Sequence, residues 1–347
     1  MRSSILILLV LLPLFANAIV DSEPKEKGIF NPEEVLCRIA AISEENPYYL
    51  VNVDTPLPYR QYTNDRYLKF QFSEELVSQE SWIENERKTV QESRGFSYGD
   101  PVTLQLVFHV LHSSDNEAVQ EEINQQLEAL NRDFGAPVFP EKDIHDPNGH
   151  FGELASDTGI RFILSDYAAD DASLPGIATL QEVDEQWRDY NAMKSLFPPV
   201  DPETTINIWV IKTDEDIGSY AQIPGGPPET DGIVIDSRFF GRGSLTYTEG
   251  KTLTHLIGNY LGLIDLWGFY PCTDDGVEDT PIHNAPNLGD PAHVRISTCY
   301  GYPPAMLMNF MDNSNDANMY MFTRGQVQRM RYMLSTQGLR PHLSKTP

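Results

Sequence analysis

The sequence predicts an α+β fold, in which strands and helices alternate in the first half of the main domain and loops dominate the second half. Val102–Leu111 is apolar and β-branched, as expected of a strand covered by helices. After it, Asp115 and Asn116 can cap a helix that runs to about Phe134. Four apolar residues form one buried stripe along that helix: Val119, Ile123, Leu127 and Leu130. These features predict a sheet packed against helices.

Further elements follow in the order that this architecture requires. Strands are predicted at Gly159–Ser165, Thr205–Lys212 and Gly232–Asp236, and a long stretch rich in Pro and Asp separates the first two. A helix is predicted from about Thr248 to Leu263, where a turn containing Gly ends it. The rest is loop-rich until a last helix at about Thr323–Ser335.

The N-terminus resembles a secretory signal peptide over residues 1–18. Arg2 precedes an apolar run from Ile5 to Phe15, and Ala16-Asn17-Ala18 supplies small residues at the cleavage positions. The run is shorter than the roughly 20 residues that span a bilayer, and no later segment is apolar for that length. We therefore expect a soluble, secreted protein without membrane insertion, the alternative being a buried N-terminal helix.

The chain of 347 residues carries a formal net charge of −26. Phosphate binding requires clustered Lys and Arg, so this balance argues against a nucleic-acid partner. Three cysteines in a secreted chain predict one disulfide and one remaining thiol. Cys272 and Cys299 flank one loop, and joining them would stabilise the fold by roughly 3 to 4 kcal/mol in the chain-entropy model. Cys37 is then unpaired.

One helix has the residue spacing of a zinc peptidase site. Such a site places two His four residues apart on one helical face, a Glu directly after the first His as general base, and a third ligand beyond a Gly turn. Here those positions hold His255, Asn259 and Asp265, with Leu256 at the position of the base. The spacing is that of a zinc site, but most of the side chains differ.

This segment resembles the motif THExGHxLGLxH of the pappalysin, ulilysin-like branch of the metzincin zinc endopeptidases. Six residues match: Thr254, His255, Gly258, Leu261, Gly262 and Leu263. Ordered matches extend over most of residues 102–342, and include Val107–His112, Leu130–Phe134, Asn207–Val210, Tyr220–Gly225, Asp231–Ile235, Asp279–Pro281, Asn309–Ser314 and Phe322–Gln326.

The resemblance implies a metzincin-like fold for residues 99–347, preceded by a prodomain-like region at residues 19–98. That fold has a mixed twisted sheet, an active-site helix, and an irregular lower subdomain with a Met-turn and a C-terminal helix. Met311 would be the methionine of the Met-turn, and Asn313 stands where the family has a Tyr thought to assist the transition state. The implied activity is zinc-dependent cleavage of peptides or proteins.

The departures from the motif remove what hydrolysis needs. Leu256 cannot accept a proton, and loss of a general base typically costs about 10² to 10⁴ in rate. Asn259 is a weak neutral ligand, whereas the Asp265 carboxylate could still bind zinc. Zinc binding is therefore doubtful, and we expect His255 to be a core histidine hydrogen-bonded inside the fold. The leading hypothesis is a pseudopeptidase that binds a peptide or protein in the former substrate cleft.

Two alternatives remain open. One is an active zinc endopeptidase with a non-standard site, in which His255 and Asp265 bind zinc together with Asn259 or a loop histidine, His283 or His293. The other is a calcium-binding extracellular structural component. Four carboxylates lie within six residues, and such oxygen-rich loops suit Ca²⁺ as well as they suit a solvated turn. They are Asp274, Asp275, Glu278 and Asp279. His109 and His112 are interpreted as structural.

Overall fold

The computed structural model describes residues 88–344 except 142, 168–174, 184–186, 188–189, 214–218, 242–248, 269–271 and 291–292. The predicted signal peptide, most of the prodomain-like region and Cys37 lie outside these residues. From residue 102 on, the helices and strands of the described ranges are β1 Val102–Val110, α1 Asn116–Asp133, β2 Ile160–Leu164, β3 Ile177–Leu180, α2 Tyr190–Leu196, β4 Thr205–Ile211, β5 Tyr220–Ala221, β6 Ile233–Asp236, α3 Lys251–Tyr260 and α4 Arg324–Met333.

The described strands form one mixed sheet in the order β2-β1-β4-β6-β5, and β3 also pairs with β1. Every pairing is parallel except that of β5 with β6, so the sheet carries one antiparallel edge strand. Strand β1 is central, and five of its apolar side chains are fully buried: Leu104, Leu106, Val107, Phe108 and Val110. A nearly continuous apolar run is typical of a parallel strand that is covered on both faces.

Helix α1 packs against the sheet and against α3. The Asp115 carboxylate accepts hydrogen bonds from the backbone N–H groups of Glu117 and Ala118, at 3.0 and 3.2 Å, which confirms the predicted cap. Val119, Ile123 and Leu130 are fully buried, and Leu127 is partly buried against the same core. The apolar stripe is therefore the packing face of this helix.

Two elements lie in the stretch between β2 and β4 where the sequence predicted none. Strand β3 has only four residues, and helix α2 has seven. The helix α3 is also shorter than predicted, because it begins after Gly250 and ends at Tyr260. Gly250 and Gly262 both have positive φ angles, +77° and +88°, and these turns limit the helix at its two ends.

Between α3 and α4 the described residues form turns, isolated bridges and one 3₁₀ turn, Asp316–Asn318. We call residues 102–236 the sheet half and residues 263–322 the loop half. In the loop half, Cys272 and Cys299 form the predicted disulfide, with a Cα–Cα distance of 5.4 Å. Helix α4 then begins with a capping box between Thr323 and Gln326. In the described part of the chain, no helix combines the length and apolarity needed to cross a membrane.

Candidate functional site

The positions that correspond to the zinc site lie where α3 meets the loop half. His255, Leu256 and Asn259 project from α3, and the chain then turns at Gly262 so that Asp265 approaches the same helix. The side chain of Arg329 supports this turn, because its Nε donates to the Gly262 carbonyl at 2.6 Å. The backbone therefore brings together the three positions that the spacing predicted.

The three side chains bind one another. His255 Nε2 lies 3.0 Å from Asp265 Oδ1. The Asn259 side-chain amide donates to the same oxygen at 3.1 Å and to the Leu263 carbonyl at 3.2 Å. All three residues are buried. Polar groups that lose water on burial are thus satisfied internally, as a stable core requires.

The partners of His255 determine its protonation. Its Nδ1 lies 2.8 Å from the Phe310 carbonyl oxygen, which can only accept, and its Nε2 faces the Asp265 carboxylate. The form that satisfies both contacts is the doubly protonated imidazolium. Burial on its own lowers the pKa of His255, but the Asp265 charge and the hydrogen bonds to Asp265, Phe310 and Asp312 outweigh it, so the pKa is raised from 6.5. In this arrangement neither nitrogen has a lone pair free for a metal ion.

Leu256, at the position of the general base, is 1% exposed and belongs to the apolar core. A cavity of about 20 Å³ adjoins it, with Trp267 and Met319 on its walls. A cavity of that size holds about one water molecule. The carboxylates of Asp312 and Asp316 also line this cavity, but both accept backbone N–H groups. Position 256 itself therefore has no titratable side chain that could act as the general base.

The Met-turn beneath the site is tightly fixed. The side-chain amides of Asn309 and Gln326 exchange two hydrogen bonds of 2.8 and 3.0 Å, and Asn309 Oδ1 also accepts from the Met311 backbone N–H at 2.9 Å. A Cβ at Gly258 would lie 2.5 Å from Met311 Sδ, so only Gly allows the helix to approach this closely. Asn313 is half-buried and lines the small cavity.

Comparison with known proteins identifies the family to which the chain is similar. The model of the pregnancy-associated plasma protein-A peptidase family matches residues 221–335. An extracellular metalloprotease of Colletotrichum graminicola is 30% identical over 240 residues, which cover 66% of this chain and 76% of that protein. This chain belongs to the pappalysin family of metallopeptidases. Another similar protein, an extracellular metalloprotease of Arthroderma gypseum, is 26% identical over 261 residues, covering 71% of this chain and 78% of that protein.

Solved structures give the same assignment. A promirolysin mutant of Tannerella forsythia superimposes with a TM-score of 0.66 and 27% identity, covering 80% of this chain and 94% of that one. Mature mirolysin in complex with a cleaved peptide, from the same organism, gives 0.62 and 29%, covering 71% and 96%. The metzincin-like fold predicted from the sequence is thereby confirmed.

The residues at the pappalysin zinc positions do not fit a metal ion as they are arranged. Throughout the described ranges, no group of three or more His, Cys, Asp or Glu side chains could hold one. Two of the three positions hold residues other than His, and His255 uses both ring nitrogens in contacts with protein oxygens. The loop histidines do not complete the site: His283 Nε2 accepts from the Met306 backbone N–H at 3.0 Å, and His293 is exposed.

The four carboxylates of the predicted calcium loop have separate protein partners. Asp274 accepts from the Gly276 N–H at 2.7 Å, and buried Asp275 accepts from the Thr280 hydroxyl at 2.8 Å. Glu278 pairs with Arg94 at 3.1 Å. Asp279 accepts from the Thr323 hydroxyl at 2.7 Å and from the Gly325 N–H at 2.9 Å, at the N-terminus of α4. The carboxylates do not converge, and the calcium site stays a prediction without structural support.

The sheet half contains His109, which is in β1, and His112, which follows β1. His109 is buried, and its ring stacks on Trp209 at 4.7 Å between centroids. His112 Nε2 contacts Glu122 Oε2 of α1 at 3.0 Å. Both make contacts between elements of the fold.

Two features of the site leave no pattern in the amino-acid sequence. The Phe310 carbonyl orients His255, but backbone groups are the same in every residue. The ammonium of Lys251 is buried and donates to the carbonyls of Asp316 and Met319 at 2.6 and 2.8 Å. The His255–Asp265 contact could have been predicted, because side chains at positions that share one metal must lie within reach of one another.

Proposed function

We propose that this pappalysin is a secreted protein that does not hydrolyse peptide bonds and instead binds a peptide or protein segment in the former substrate cleft. The observation that carries the proposal is the contact of 3.0 Å between His255 Nε2 and Asp265 Oδ1. Two positions that would share a zinc ion contact each other instead.

Zinc binding here would require several contacts to break together. A histidine ligand must be neutral and present a lone pair to the metal. His255 would have to lose a proton and separate from Asp265, and Asn259 would lose the acceptor at 3.1 Å. These contacts oppose metal binding, because zinc must displace them before His255 and Asp265 can act as ligands, and Asn259 then lacks its acceptor.

The absence of a base at position 256 supports the same conclusion. The two carboxylates beside the small cavity are occupied: Asp312 accepts from the backbone and side-chain N–H groups of Asn287 at 2.9 and 2.6 Å, and Asp316 accepts from the backbone of Glu249 at 2.9 Å. A carboxylate used in this way is a poor replacement for a base on a metal-bound water.

The proposals of peptide binding and of secretion are supported by similar proteins and by the N-terminal sequence. Mature mirolysin was solved with a cleaved peptide, and this chain covers 96% of that structure. Relatives in Arthroderma and Colletotrichum are named extracellular metalloproteases. The signal-like pattern of residues 1–18 agrees with export.

Restoring the motif tests the loss of catalysis. The triple variant Leu256→Glu, Asn259→His and Asp265→His should bind zinc near one equivalent and cleave unfolded protein in a chelator-sensitive reaction. The unmodified chain should hold far less than one zinc and should not cleave. The control Leu256→Glu alone should remain inactive, because a base without a held metal has nothing to activate. Chelator-sensitive cleavage by the unmodified chain, lost in His255→Ala, would show instead that the non-standard site is active.

A peptide cut by the restored variant then tests the binding function. Labelled with a fluorophore, it should bind the unmodified chain saturably and be displaced by the unlabelled peptide. A scrambled peptide of the same composition is the matched control. If both peptides bind equally or not at all, the cleft does not recognise peptides, whatever the zinc content.

A further inference from the structure

A second and larger cavity lies beside the former active site. Its volume is about 350 Å³, and it lies between the segment after α1, the N-terminus of α3 and the segment after the Met-turn. None of the three side chains at the zinc positions lines it. The volume is at the lower end of the range for pockets that bind small ligands or single groups of larger ones.

Apolar side chains are exposed where this cavity opens. Val138, Phe139 and Ile144 line it, and they are 72%, 50% and 46% exposed. The Phe139 ring meets the ring of Tyr320, another lining residue, edge-on with centroids 5.6 Å apart. A ligand with an apolar part would take the surface of these side chains out of water, which favours its binding.

The carboxylate of Asp143 lines the same cavity and is half-buried. Its Oδ1 accepts from the His145 backbone N–H at 2.7 Å, and its Oδ2 accepts from the Tyr320 hydroxyl at 2.6 Å. Both donors are neutral, and within the described ranges Asp143 pairs with no cationic side chain. The two hydrogen bonds hold the carboxylate in place and leave lone pairs on both oxygens for a ligand.

The other charged groups of the cavity neutralise one another. Arg132 Nε contacts Asp133 at 2.8 Å, and Lys251 Nζ contacts Glu249 at 2.8 Å. Two cations thus face two carboxylates, and the charge of Asp143 remains. A cation on Asp143 would leave both pairs intact, whereas an anion would have to break one of them to find a partner.

The environment of Tyr320 shows the sign of the local field. Burial, the hydrogen bond to Asp143 and the charges of Asp143 and Asp146 all raise the pKa of Tyr320 above its usual value of 10. The whole chain, with a formal net charge of −26, adds to this negative potential. The cavity therefore attracts cations and repels anions.

We infer that this cavity binds an organic cation, with the charged group on Asp143 and the apolar part against Phe139 and Tyr320. A carboxylate forms its stronger hydrogen bonds with charged donors, and aromatic rings attract a cation that lies on their faces. The cationic group is an ammonium, amidinium or guanidinium on an apolar stem. It comes from a basic side chain of a bound protein or from a free amine. The inference does not depend on peptide binding in the former cleft.

The test is a pair of titrations of the full chain followed by NMR, with benzamidine and benzamide as probes. The two have nearly the same shape, but only benzamidine is charged at neutral pH. Benzamidine should bind saturably in the millimolar range and shift the ring resonances of Phe139 and Tyr320, and benzamide should bind about tenfold more weakly. Equal affinity for the two probes, or no saturable shift with benzamidine, would overturn the inference.

Variants locate the effect. Asp143→Asn keeps an acceptor for the Tyr320 hydroxyl and removes the charge, so it should abolish the preference for benzamidine over benzamide. Asp166→Asn removes an exposed carboxylate that does not line the cavity and should leave the preference intact. Phe139→Leu keeps an apolar wall and should weaken benzamidine binding about threefold. A preference that persists in Asp143→Asn, or a Phe139→Leu protein that binds benzamidine as before, would refute the assignment.

A second pair of probes separates the two sources of the cation. N-acetyl-lysinamide should match or exceed butylamine in affinity if the natural ligand is a side chain of a bound protein, since the open side of the cavity then accommodates the main chain. It should bind more weakly if the ligand is a free amine. Saturable binding of either probe supports the cation site, and failure of both to bind contradicts it.

Discussion

The sheet half and the loop half are stabilised by different kinds of contact. In the sheet half, backbone ladders join apolar strands whose side chains, such as those of Phe108 and Ile208, are fully buried. In the loop half, side chains replace the ladders: buried Asp312 accepts from the backbone of Asn287 and Asn313, and a disulfide closes the loop. The loop half therefore depends on individual polar residues, whereas the sheet half depends on an apolar pattern that many residues share.

The largest expected effect comes from the residues that join distant parts of the chain. Arg340 donates to both oxygens of Asp231, at 2.6 and 2.9 Å, and its guanidinium lies 3.5 Å from the centroid of the Tyr260 ring. The change Arg340→Met should lower the free energy of unfolding by about 3 to 5 kcal/mol, because it leaves the Asp231 carboxylate buried without its cation. Urea denaturation measures this loss.

Two controls accompany this measurement. Arg324→Met removes an exposed arginine at the start of α4 and should have little effect. Arg340→Lys keeps the charge but not the bidentate geometry, so its loss should be intermediate. If Arg340→Met unfolds no more easily than Arg324→Met, this cluster does not couple the turn before β6, α3 and the C-terminal segment.

The second largest effect concerns a buried histidine of the sheet half. His109 Nε2 lies 3.1 Å from Asn207 Oδ1 and its Nδ1 lies 3.3 Å from Thr179 Oγ1, so it links three strands. Burial lowers the pKa of His109 from 6.5 to about 4, and the Lys194 charge adds to this. Between these values the unfolded chain binds more protons than the folded one. Stability should therefore fall by about 3 kcal/mol as the pH drops from about 6.5 to about 4.

The quantity to measure is the difference between the unmodified chain and His109→Gln across that pH window. The variant should lose this acid sensitivity even if it is less stable at neutral pH. The control His150→Gln should retain it. The two chains must be compared because burial also raises the pKa of Asp316 to about 6. Protonation of Asp316 makes the folded chain more stable as the pH falls, opposite to the effect of His109. Parallel pH profiles for unmodified chain and His109→Gln would contradict the assignment.

The smallest effect concerns a single contact of the loop half. Asp279→Ala removes the carboxylate that accepts from Thr323 and Gly325 at the N-terminus of α4. The free energy of unfolding should fall by about 1 kcal/mol, the usual value of a capping interaction. Glu278→Ala, at an exposed neighbour, should change it little. Thermal melts with calcium and with chelator should give the same loss, whereas a loss seen only with calcium would establish the calcium site instead.

The sequence predicted the sheet half better than the loop half, for the same physical reason. Apolar periodicity located β1, α1, β2, β4 and β6 to within one or two residues. It missed β3, whose four residues are mostly half-buried, and α2, which lies in a stretch interrupted by Pro and Asp. Short elements of this kind form because of tertiary contacts, and they leave little pattern in a single sequence.

The candidate site was predictable in its positions and less so in its contacts. The family spacing brought His255, Asn259 and Asp265 together, as the fold requires. The acceptor for His255 Nδ1 is the carbonyl of Phe310, 55 residues away in the chain, and only the folded Met-turn places it there.

The close approach of Gly258 to Met311 has a consequence for chemical damage. Met311 is fully buried, and a single added carbon on Gly258 would lie 2.5 Å from its sulfur. Peroxide can reach that sulfur only when the packing around the fully buried Met311 opens. The rate at which peroxide oxidises Met311 in the native protein therefore reports how often the packing around the Met-turn opens.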